Sequence, residues 1–475
     1  VLYRRSGGMP MILALIGGGG VRTVFFCQSL AKYAEKLDIT ELRLMDDNEE
    51  KLDMFGFLST FAVKEWTNVK ITLTTSLLEA VQDADYVITA IRVGGDAGRV
   101  LDERTALAKG VIGQETTGPG GFSYAARTIP ALLQIMEAVK TKSNHAIVFN
   151  FTNPAGLVTQ AMHDAGYHNI IGICDNATGT KIHLSEALQV DASDLLVRAY
   201  GLNHLTWVDS VKLRGREILP TLMQNKEFID KYHDFLYFDR DLIQIMGTIP
   251  NGYLYYYYHR EKALANIQKA QQTRGETILE MNHTLKNRLA EMNFKKNPKR
   301  ALQMYYELLE TRNASYMAIE LGGKGPMKVS LDLVALGIPE LAEHTGVQVL
   351  EGYAGVAFNY IEALHSNRST DLAINVPNHG TIGFLSDDDV VEVSCLVNAS
   401  GAHPIAADNI PADNALLISQ VKRYEKLAVQ AVREKSLELG ALALMANPLV
   451  GSWSLAKELM LAYQQAHQKW LYDWQ

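Results

Sequence analysis

The run Met11-Ile-Leu-Ala-Leu-Ile16, followed directly by Gly17-Gly-Gly-Gly20, decides the fold of the first part of this chain. An uninterrupted apolar run is typical of a strand that is buried on both faces of a parallel sheet. After the glycines, Val21 to Leu30 places apolar side chains at helical spacing. A strand, a glycine turn and a helix in this order let backbone N–H groups approach a pyrophosphate at the start of the helix. The stretch therefore predicts a Rossmann-like, dinucleotide-binding unit.

An acidic side chain at the end of the second predicted strand, Glu41 to Met45, indicates which dinucleotide binds. The carboxylate of Asp46 can accept hydrogen bonds from a ribose 2′-OH and would repel a 2′-phosphate, so NAD is favoured over NADP. Arg22 holds the third glycine position of the usual G-x-G-x-x-G pattern. Its side chain either reaches a phosphate or is solvated, and the sequence leaves both interpretations open. The predicted cofactor-binding residues are Gly17, Gly18, Gly19, Gly20, Arg22 and Asp46.

Composition excludes several classes of partner. The net charge is −8, and the chain has no block of lysines and arginines, so nothing favours nucleic acid. No apolar run reaches the roughly 18 residues that span a bilayer, and no secretory signal is evident, so we expect no membrane association. The 3 cysteines are far apart and odd in number. They predict free thiols in a reducing compartment, and hence a cytoplasmic protein.

Two possible metal ligands follow predicted strands. Cys174 comes directly after Ile170 to Ile173, and His204 closes the motif Tyr200-Gly-Leu-Asn-His204. Strand ends in open α/β sheets face the ligand crevice, and a thiolate with an imidazole suits a divalent transition metal. Two protein ligands would leave positions for substrate oxygens, as a catalytic metal needs. A single buried cysteine is nevertheless more often a core residue, and a single histidine more often a hydrogen-bonding group.

Six motifs occur in order along the chain: Gly17-Gly-Gly-Gly20, Arg92-Val-Gly-Gly-Asp-Ala-Gly-Arg99, Gly113-Gln-Glu-Thr-Thr-Gly-Pro-Gly-Gly121, Thr152-Asn-Pro154, Cys174-Asp175 and Gly201-Leu-Asn-His204. Together they resemble glycoside hydrolase family four, the NAD- and manganese-dependent glycosidases that include 6-phospho-glucosidases. The resemblance covers most of the chain and continues through Pro250-Asn-Gly-Tyr253 and Thr273-Arg274-Gly-Glu276.

The resemblance implies a mechanism outside the usual two-carboxylate scheme. NAD would oxidise the sugar at C3, a base would remove the acidified C2 proton, and the aglycone would be eliminated from C1. Water would then add and the hydride would return. Negative charge that develops at C3 and C2 calls for a divalent cation. By the same resemblance, Cys174 and His204 would hold Mn²⁺, Tyr253 would be the C2 base, and Asp175 matches the general acid of the α-acting members.

The resemblance also implies a phosphorylated sugar as substrate. Arg99 and Arg274 fall at the family's substrate-binding positions, and arginine suits a tetrahedral phosphate dianion. Asn153 would hydrogen-bond sugar hydroxyls or the metal shell. Asn375 and His379 are further candidates in a later strand region. Each arginine taken alone is more often a surface ion-pair partner, and Asn153 could simply form an Asn-Pro turn.

The linkage that would be cleaved is less well defined by the motifs. Cys174-Asp-Asn-Ala177 lacks the Cys-Asn-x-Pro of the β-acting enzymes, and it also lacks the proline that follows Cys-Asp in the α-acting ones. Gly201 to Trp207 and Pro250 to Leu254 look more like the β-acting branch, so we favour a 6-phospho-β-glucosidase. The alternatives are a 6-phospho-α-glucosidase, a glycosidase of the same family for unphosphorylated sugars, a 2-hydroxy-acid dehydrogenase, and an inactive sugar-phosphate sensor.

The fold predicted from these patterns is α/β, in an arrangement like that of lactate and malate dehydrogenases. Residues 1–8 look like residues added for expression, so the predicted Rossmann-like NAD-binding domain with its doubly wound parallel sheet covers residues 9–200. Residues 201–475 would form an α+β domain for substrate binding, catalysis and oligomerisation. Helices are expected at 263–321 and 414–467, strands at 371–397, and a further unit from Val329. Large enzymes of this kind commonly self-associate, so we expect a homodimer or homotetramer.

Overall fold

A nine-stranded sheet runs through the protein, for which a computed structural model describes residues 11–323, 352–366 and 368–475. The first six strands are parallel. They are β1 (Met11–Ile16), β2 (Ile39–Met45), β3 (Lys70–Thr74), β4 (Tyr86–Thr89), β5 (Ile147–Asn150) and β6 (Ile170–Gly172). Their spatial order is β6-β5-β4-β1-β2-β3, which is the doubly wound order with its switch point between β1 and β4.

Helices connect the parallel strands, and one more helix, the last of those named next, follows β6. They are α1 (Thr23–Tyr33), α2 (Glu49–Val63), α3 (Leu77–Val81), α4 (Gly95–Leu107), α5 (Pro119–Lys142), α6 (Ala155–Asp164) and α7 (Asp175–Leu188). Leu13, Ala14 and Leu15 of β1 are fully buried on consecutive positions, so both faces of the strand are covered. The apolar run that opens the chain is therefore a central strand of a helix-covered sheet.

Later strands form a second sheet and also extend the first one. The second sheet contains β7 (Leu195–Leu202), β8 (Leu205–Leu213), β9 (Arg216–Glu217) and β10 (Ile249–Pro250). The remaining strands are β11 (Thr370–Pro377), β12 (Val390–Asn398) and β13 (Gly401–Pro404). β11 pairs antiparallel with β6, and β12 and β13 follow outward. The nine-stranded sheet thus includes strands from both sides of residue 200. The division of the chain into two domains at that residue stays a prediction.

The second half of the chain is mainly helical. It contains α8 (Leu219–Gln224), α9 (Lys226–Lys231), α10 (Arg240–Met246), α11 (Tyr255–Tyr258), α12 (Arg260–Lys269), α13 (Arg274–Glu291), α14 (Pro298–Ala314), α15 (Gly352–His365), α16 (Ala412–Glu434), α17 (Leu437–Ala446), α18 (Trp453–Ala466) and α19 (Gln468–Leu471). Short 3-10 turns cover Ala192–Asp194, His233–Phe235 and Gly252–Leu254.

The predicted fold class is confirmed: a Rossmann-like parallel sheet is combined with a C-terminal α+β part. Strands lie where they are expected between residues 371 and 397, and helices between 414 and 467. The unit predicted to begin at Val329 lies outside the described residues. Among the described helices, none combines the length and the apolar composition that crossing a bilayer requires.

Candidate active site

A single continuous cleft of ≈ 1780 Å³ opens beside the carboxyl ends of the parallel strands. In doubly wound sheets, this edge at the switch point is where ligands bind. The cleft brings together nearly all of the residues that the sequence predicts for the site. Its walls include Gly17, Gly19, Gly20, Arg22, Asp46, Arg99, Asn153, Cys174, Asp175, His204, Tyr253 and Arg274, whereas Gly18 is not among the residues that line it.

The glycine turn after β1 is required by close packing as well as by backbone conformation. Gly17 has a φ of +102°, and a Cβ there would lie 2.5 Å from the carbonyl oxygen of Ala90. A Cβ on Gly18 would lie 2.8 Å from Cβ of Leu44. The turn therefore passes between β2 and the end of β4 with no room for side chains. It leads to the first turn of α1, the position at which this fold holds a phosphate.

Asp46 lies at the end of β2 with its carboxylate against the glycine turn. Its Oδ2 accepts a hydrogen bond of 2.9 Å from the backbone N–H of Gly19, and its Oδ1 one of 3.0 Å from that of Asn48. Burial raises the pKa of Asp46. A carboxylate accepts about four hydrogen bonds, so each oxygen keeps capacity for a ligand hydroxyl. That Asp46 binds a ribose stays a prediction, and the geometry leaves room for it.

Cys174 and His204 meet in the cleft, although 29 residues separate them in the sequence. Their Sγ and Nε2 atoms are 3.5 Å apart, and both side chains are buried. Donors at about 2.3 Å and about 2.1 Å from one ion lie about 3.1–3.6 Å apart for angles of about 90–110°. The two atoms are therefore spaced to share one cation. Among the described residues, no group of three or more His, Cys, Asp and Glu side chains is arranged to hold a metal, so this pair would leave positions for other ligands.

The surroundings of the pair disfavour the free thiolate and the protonated imidazole. Burial, and then the carboxylates of Glu392 and Asp175, raise the pKa of Cys174 well above its usual value. Burial lowers the pKa of His204 to about 4, so its ring is neutral at physiological pH and able to act as a ligand. Its Nδ1 has no hydrogen-bond partner in the described part of the chain. A cation between the two side chains would stabilise the thiolate and so lower the pKa of Cys174.

Tyr253 is placed against the imidazole of His204. The two rings stack with centroids 3.8 Å apart and an interplanar angle of 12°. The side chain of Asn251 caps the turn that carries Tyr253 by accepting a hydrogen bond of 2.9 Å from its backbone N–H. Burial raises the pKa of Tyr253 well above its usual value, while a hydrogen bond from Tyr316 lowers it in part. A phenol in this position can exchange a proton with a ligand held beside His204, provided that a nearby cation lowers its pKa.

Asp175 begins α7 and lies opposite the glycine turn. Its Oδ2 is 3.7 Å from Nη1 of Arg22, whose guanidinium also lies 5.7 Å from the centre of the Phe151 ring. Because Asp175 directly follows Cys174, its carboxylate is held at the edge of the possible metal site. At this end of α7, the side chain of Asn176 accepts through Oδ1 a hydrogen bond of 2.5 Å from Nδ2 of Asn251, which lies in the turn before Tyr253.

The arginines of the cleft differ in how they are neutralised. Arg99 is buried and donates from Nε to Oε1 of Glu103 at 2.8 Å, and its Nη1 lies 3.1 Å from Oε2 of Glu115. Arg92 binds the same Glu115 oxygen at 2.7 Å. Although burial alone would raise it, the pKa of Glu115 is lowered by Arg99 and Arg92. Within the part of the chain that the structure describes, Arg274 by contrast donates only to neutral oxygens. The predicted substrate-binding roles of Arg99 and Arg274 stay predictions.

A buried polar network behind the Cys174–His204 pair was not predicted. Glu392 of β12 is fully buried, and its Oε1 accepts hydrogen bonds of 3.0 Å from Nδ2 of both Asn203 and Asn375. The backbone N–H of His204 also donates to this carboxylate. Burial raises the pKa of Glu392 to about 7. The network orients the loop that carries His204, and it gives the candidate Asn375 a place behind the site.

The remaining predicted residues, and two residues that were not predicted, differ in whether they line the cleft. His379, a weaker candidate, is exposed and is not among the residues that line the cleft. Asn153 lines the cleft just after β5. Glu115 and Tyr316 were not predicted as site residues, although Glu115 lies within the quoted motif from Gly113 to Gly121. The signal for Glu115 was thus present, because an acidic residue in a glycine-rich loop between two helices needs a cationic partner.

Two family models match almost the whole chain. One is described as family 4 glycosyl hydrolase and matches residues 12–190. The other, the family 4 glycosyl hydrolase C-terminal domain, matches residues 199–450. The chain belongs to family 4 of the glycosyl hydrolases. The family that the six motifs resemble is thereby confirmed.

Relatives within the family include enzymes for both linkages. The chain is 30% identical over 472 residues to a 6-phospho-beta-glucosidase of Escherichia coli, covering 96% of this chain and 95% of that protein. It is 27% identical to a phospho-alpha-glucosidase of Clostridium acetobutylicum, covering 94% and 96%. A solved 6-phospho-beta glucosidase from Thermotoga maritima, containing manganese, NAD+ and glucose-6-phosphate, has a TM-score of 0.78 at 26% identity and covers 97% of this chain and 99% of that one.

Proposed function

We propose that this family 4 glycosyl hydrolase cleaves 6-phosphorylated β-glucosides and uses NAD and a divalent cation such as Mn²⁺. The observation that carries the proposal is the contact of Cys174, His204 and Tyr253 in one cleft with the glycine turn. A metal-ligand pair, a base and a dinucleotide site are the parts that the elimination mechanism needs. The β-linkage follows the relative of highest identity named above and the motifs around His204 and Tyr253.

The residues present fit both cofactors. The glycine turn and Asp46 suit NAD, and the Sγ–Nε2 distance of 3.5 Å suits one cation shared by Cys174 and His204. When bound, NAD would take up and return the hydride at C3, and the cation would stabilise negative charge that develops on the sugar oxygens. The same two cofactors are present with glucose-6-phosphate in the Thermotoga maritima structure.

Tyr253 and Asp175 would move the protons of the reaction. The phenol oxygen of Tyr253 would take the C2 proton, because its ring lies flat against His204 and so next to the metal position. Asp175 would protonate the departing aglycone oxygen, since it lines the cleft and directly follows Cys174 at the start of α7. Asn153 would bind sugar hydroxyls beside them. Tyr253 therefore acts on the sugar ring, while Asp175 acts on the bond that breaks.

The cysteines and the charge of the substrate indicate the setting in which the enzyme works. All 3 cysteines are buried and free of disulfides, as expected of a protein in a reducing compartment such as the cytoplasm. A phosphorylated sugar is charged and does not cross a membrane unaided, so an enzyme that uses it acts on the side where the phosphate is added. We further propose a homodimer or homotetramer.

The test is hydrolysis with each cofactor supplied or withheld. The protein is incubated with NAD⁺, Mn²⁺ and a reductant, and offered α- and β-linked p-nitrophenyl 6-phosphoglucosides and their unphosphorylated forms. We expect release of p-nitrophenol from the phosphorylated β-glucoside only when both cofactors are present, with no accumulation of NADH. Preference for the α-linked compound would overturn the linkage. Net NADH formation from a 2-hydroxy acid, without hydrolysis, would overturn the proposal as a whole.

A further inference from the structure

Five arginines line the cleft, and only some of them have a carboxylate partner. Arg92 and Arg99 share Glu115, and Arg99 also pairs with Glu103. Arg22 lies 3.7 Å from Asp175. These three positive charges are already balanced by nearby negative charges. The remaining two, Arg274 and Arg312, are the exception.

Arg274 and Arg312 both line the cleft, and neither has a carboxylate partner among the described residues. Arg274 donates from Nη1 to Oγ of Ser315 at 2.7 Å and from Nη2 to the backbone oxygen of Arg312 at 2.9 Å, both neutral acceptors. The guanidinium of Arg312 has no hydrogen-bond or ion-pair partner within residues 11–323, 352–366 and 368–475. Arg312 is in the last turn of α14, and Arg274 begins α13. The hydrogen bond from Arg274 to the backbone of Arg312 joins these two helix ends, and both arginines line the cleft.

The electrostatics of the wall favour an added anion. Burial, and then the charges of Arg22 and Arg92, lower the pKa of Arg312. Burial and Arg99 lower the pKa of Arg274. A guanidinium cannot lose its proton at physiological pH, so the unfavourable charge is relieved only by a bound anion. The carbonyl groups at the end of α14 offset only part of the charge of Arg312.

We propose that Arg312 acts together with Arg274 to bind the phosphate group of the sugar substrate. Two guanidinium groups supply the charge and the planar donors that a phosphate dianion needs. Arg99, whose charge is balanced by two carboxylates, would hold this wall in place through Glu103, which also accepts a hydrogen bond of 2.7 Å from the backbone N–H of Gly275. The inference rests on the proposed function and adds a specificity residue to it.

The pyrophosphate of NAD offers the same chemistry and is the rival source of the anion, because Arg22, which follows the glycine turn, is close enough for its charge to lower the pKa of Arg312. The test therefore measures two ligands. R312Q, R312K and the wild type, loaded with Mn²⁺ and NAD⁺, are titrated with glucose 6-phosphate and with glucose in a calorimeter. Separate titrations measure NAD⁺ affinity. R300Q is the matched control, since Arg300 is on the same helix, is exposed, and lies 3.8 Å from Glu307.

We expect R312Q to raise the Kd for glucose 6-phosphate by about ten- to hundredfold, because a hydrogen bond to a charged group contributes that factor. R312K should recover part of the loss, since lysine keeps the charge but not the planar donor pair. Affinity for NAD⁺, and the behaviour of R300Q, should stay within about twofold of the wild type. Circular dichroism and the unchanged NAD⁺ affinity would show that R312Q is folded.

Three results would overturn the inference in distinguishable ways. If the wild type binds glucose 6-phosphate and R312Q binds it equally tightly, Arg312 does not contact the phosphate, although the proposed function stands. If R312Q loses NAD⁺ affinity while glucose 6-phosphate affinity is unchanged, the anion is the cofactor's. If the wild type binds glucose as tightly as glucose 6-phosphate, the phosphate specificity in the proposed function fails along with this inference.

Discussion

Replacing Tyr253 with phenylalanine removes one oxygen atom from the middle of the proposed reaction and leaves the ring in place. The stack against His204, with centroids 3.8 Å apart, depends on the ring and should persist in Y253F. Two things are lost: the phenol that would take the C2 proton, and the hydrogen bond with Tyr316. The variant thus separates proton transfer from the positioning of the metal ligand.

The two losses differ in size. A buried hydrogen bond contributes about 1 kcal/mol to stability, which a protein of this size tolerates. A positioned general base contributes about 10²–10⁴ in rate, or about 3–5 kcal/mol of the barrier. Substrate contacts outside the phenol remain. We therefore expect kcat of Y253F to fall by at least about a hundredfold while KM changes by less than about threefold.

The assay is the steady-state hydrolysis of p-nitrophenyl 6-phospho-β-glucoside, combined with Mn²⁺ affinity measured by electron paramagnetic resonance. Incorporation of solvent deuterium at C2 of the product, followed by NMR, reports the proton transfer itself. Y258F is the control, because Tyr258 is in the same run of tyrosines, does not line the cleft, and loses only a hydroxyl that accepts a hydrogen bond of 3.2 Å from Nε1 of Trp207.

A kcat of Y253F above about one third of the wild-type value would refute the role of Tyr253 as base. An equal fall in kcat for Y258F would assign the loss to packing within the tyrosine run. If the Mn²⁺ affinity of Y253F fell in proportion to kcat, the phenol oxygen would act by supporting the metal site rather than as the base. Unchanged deuterium incorporation at C2 would also refute the role of Tyr253 as base, independently of the rate.

Three further variants test other parts of the site. C174S should raise the Kd for Mn²⁺ by more than about tenfold, because a neutral hydroxyl replaces a thiolate; unchanged affinity would remove Cys174 from the metal site. G19A places a Cβ 2.8 Å from Cγ of Asp46 and should weaken NAD⁺ binding by about 1–3 kcal/mol in a fluorescence titration; wild-type affinity would show that Asp46 does not contact the cofactor. Burial raises the pKa of Glu392 from 4.5 to about 7, so the folded metal-free protein keeps a proton that the unfolded chain releases, and its stability should fall as pH rises through that window. E392Q should lose this part of the pH dependence of the melting temperature, and an identical profile would contradict the assignment.

Much of the parallel sheet could be predicted because its signals are local. The apolar run of β1 and the glycines after it determine a buried strand and a turn within ten residues. Strand ends are predictable for the same reason, and this placed Cys174 at the crevice. Its partner His204 follows a strand of the second sheet. The prediction that these two side chains share a site, in keeping with their distance of 3.5 Å, therefore came from the family resemblance and not from their spacing in the sequence.

What could not be predicted depends on contacts between distant parts of the chain. The antiparallel pairing of β11 with β6 could not be predicted, because neither strand's sequence indicates that β6 is the edge strand to which β11 is added. Glu392 resembles a solvent-facing residue of an alternating strand, yet it is fully buried because neighbours cover both faces of β12. Arg312 resembles a solvated position of an amphipathic helix, and only the folded structure shows that it lines the cleft.

The joining of β11 to β6 means that the cleft cannot be completed while the chain is still being synthesised. Asn375 pairs with Gly172, two residues before Cys174, and Glu392 supports the loop of His204. Until residues 370–398 have left the ribosome, β6 is an exposed sheet edge that can pair with other chains. A fragment cut at residue 200 would keep that edge. Such a fragment should therefore aggregate, and the intact polypeptide should acquire its metal only after translation is nearly finished.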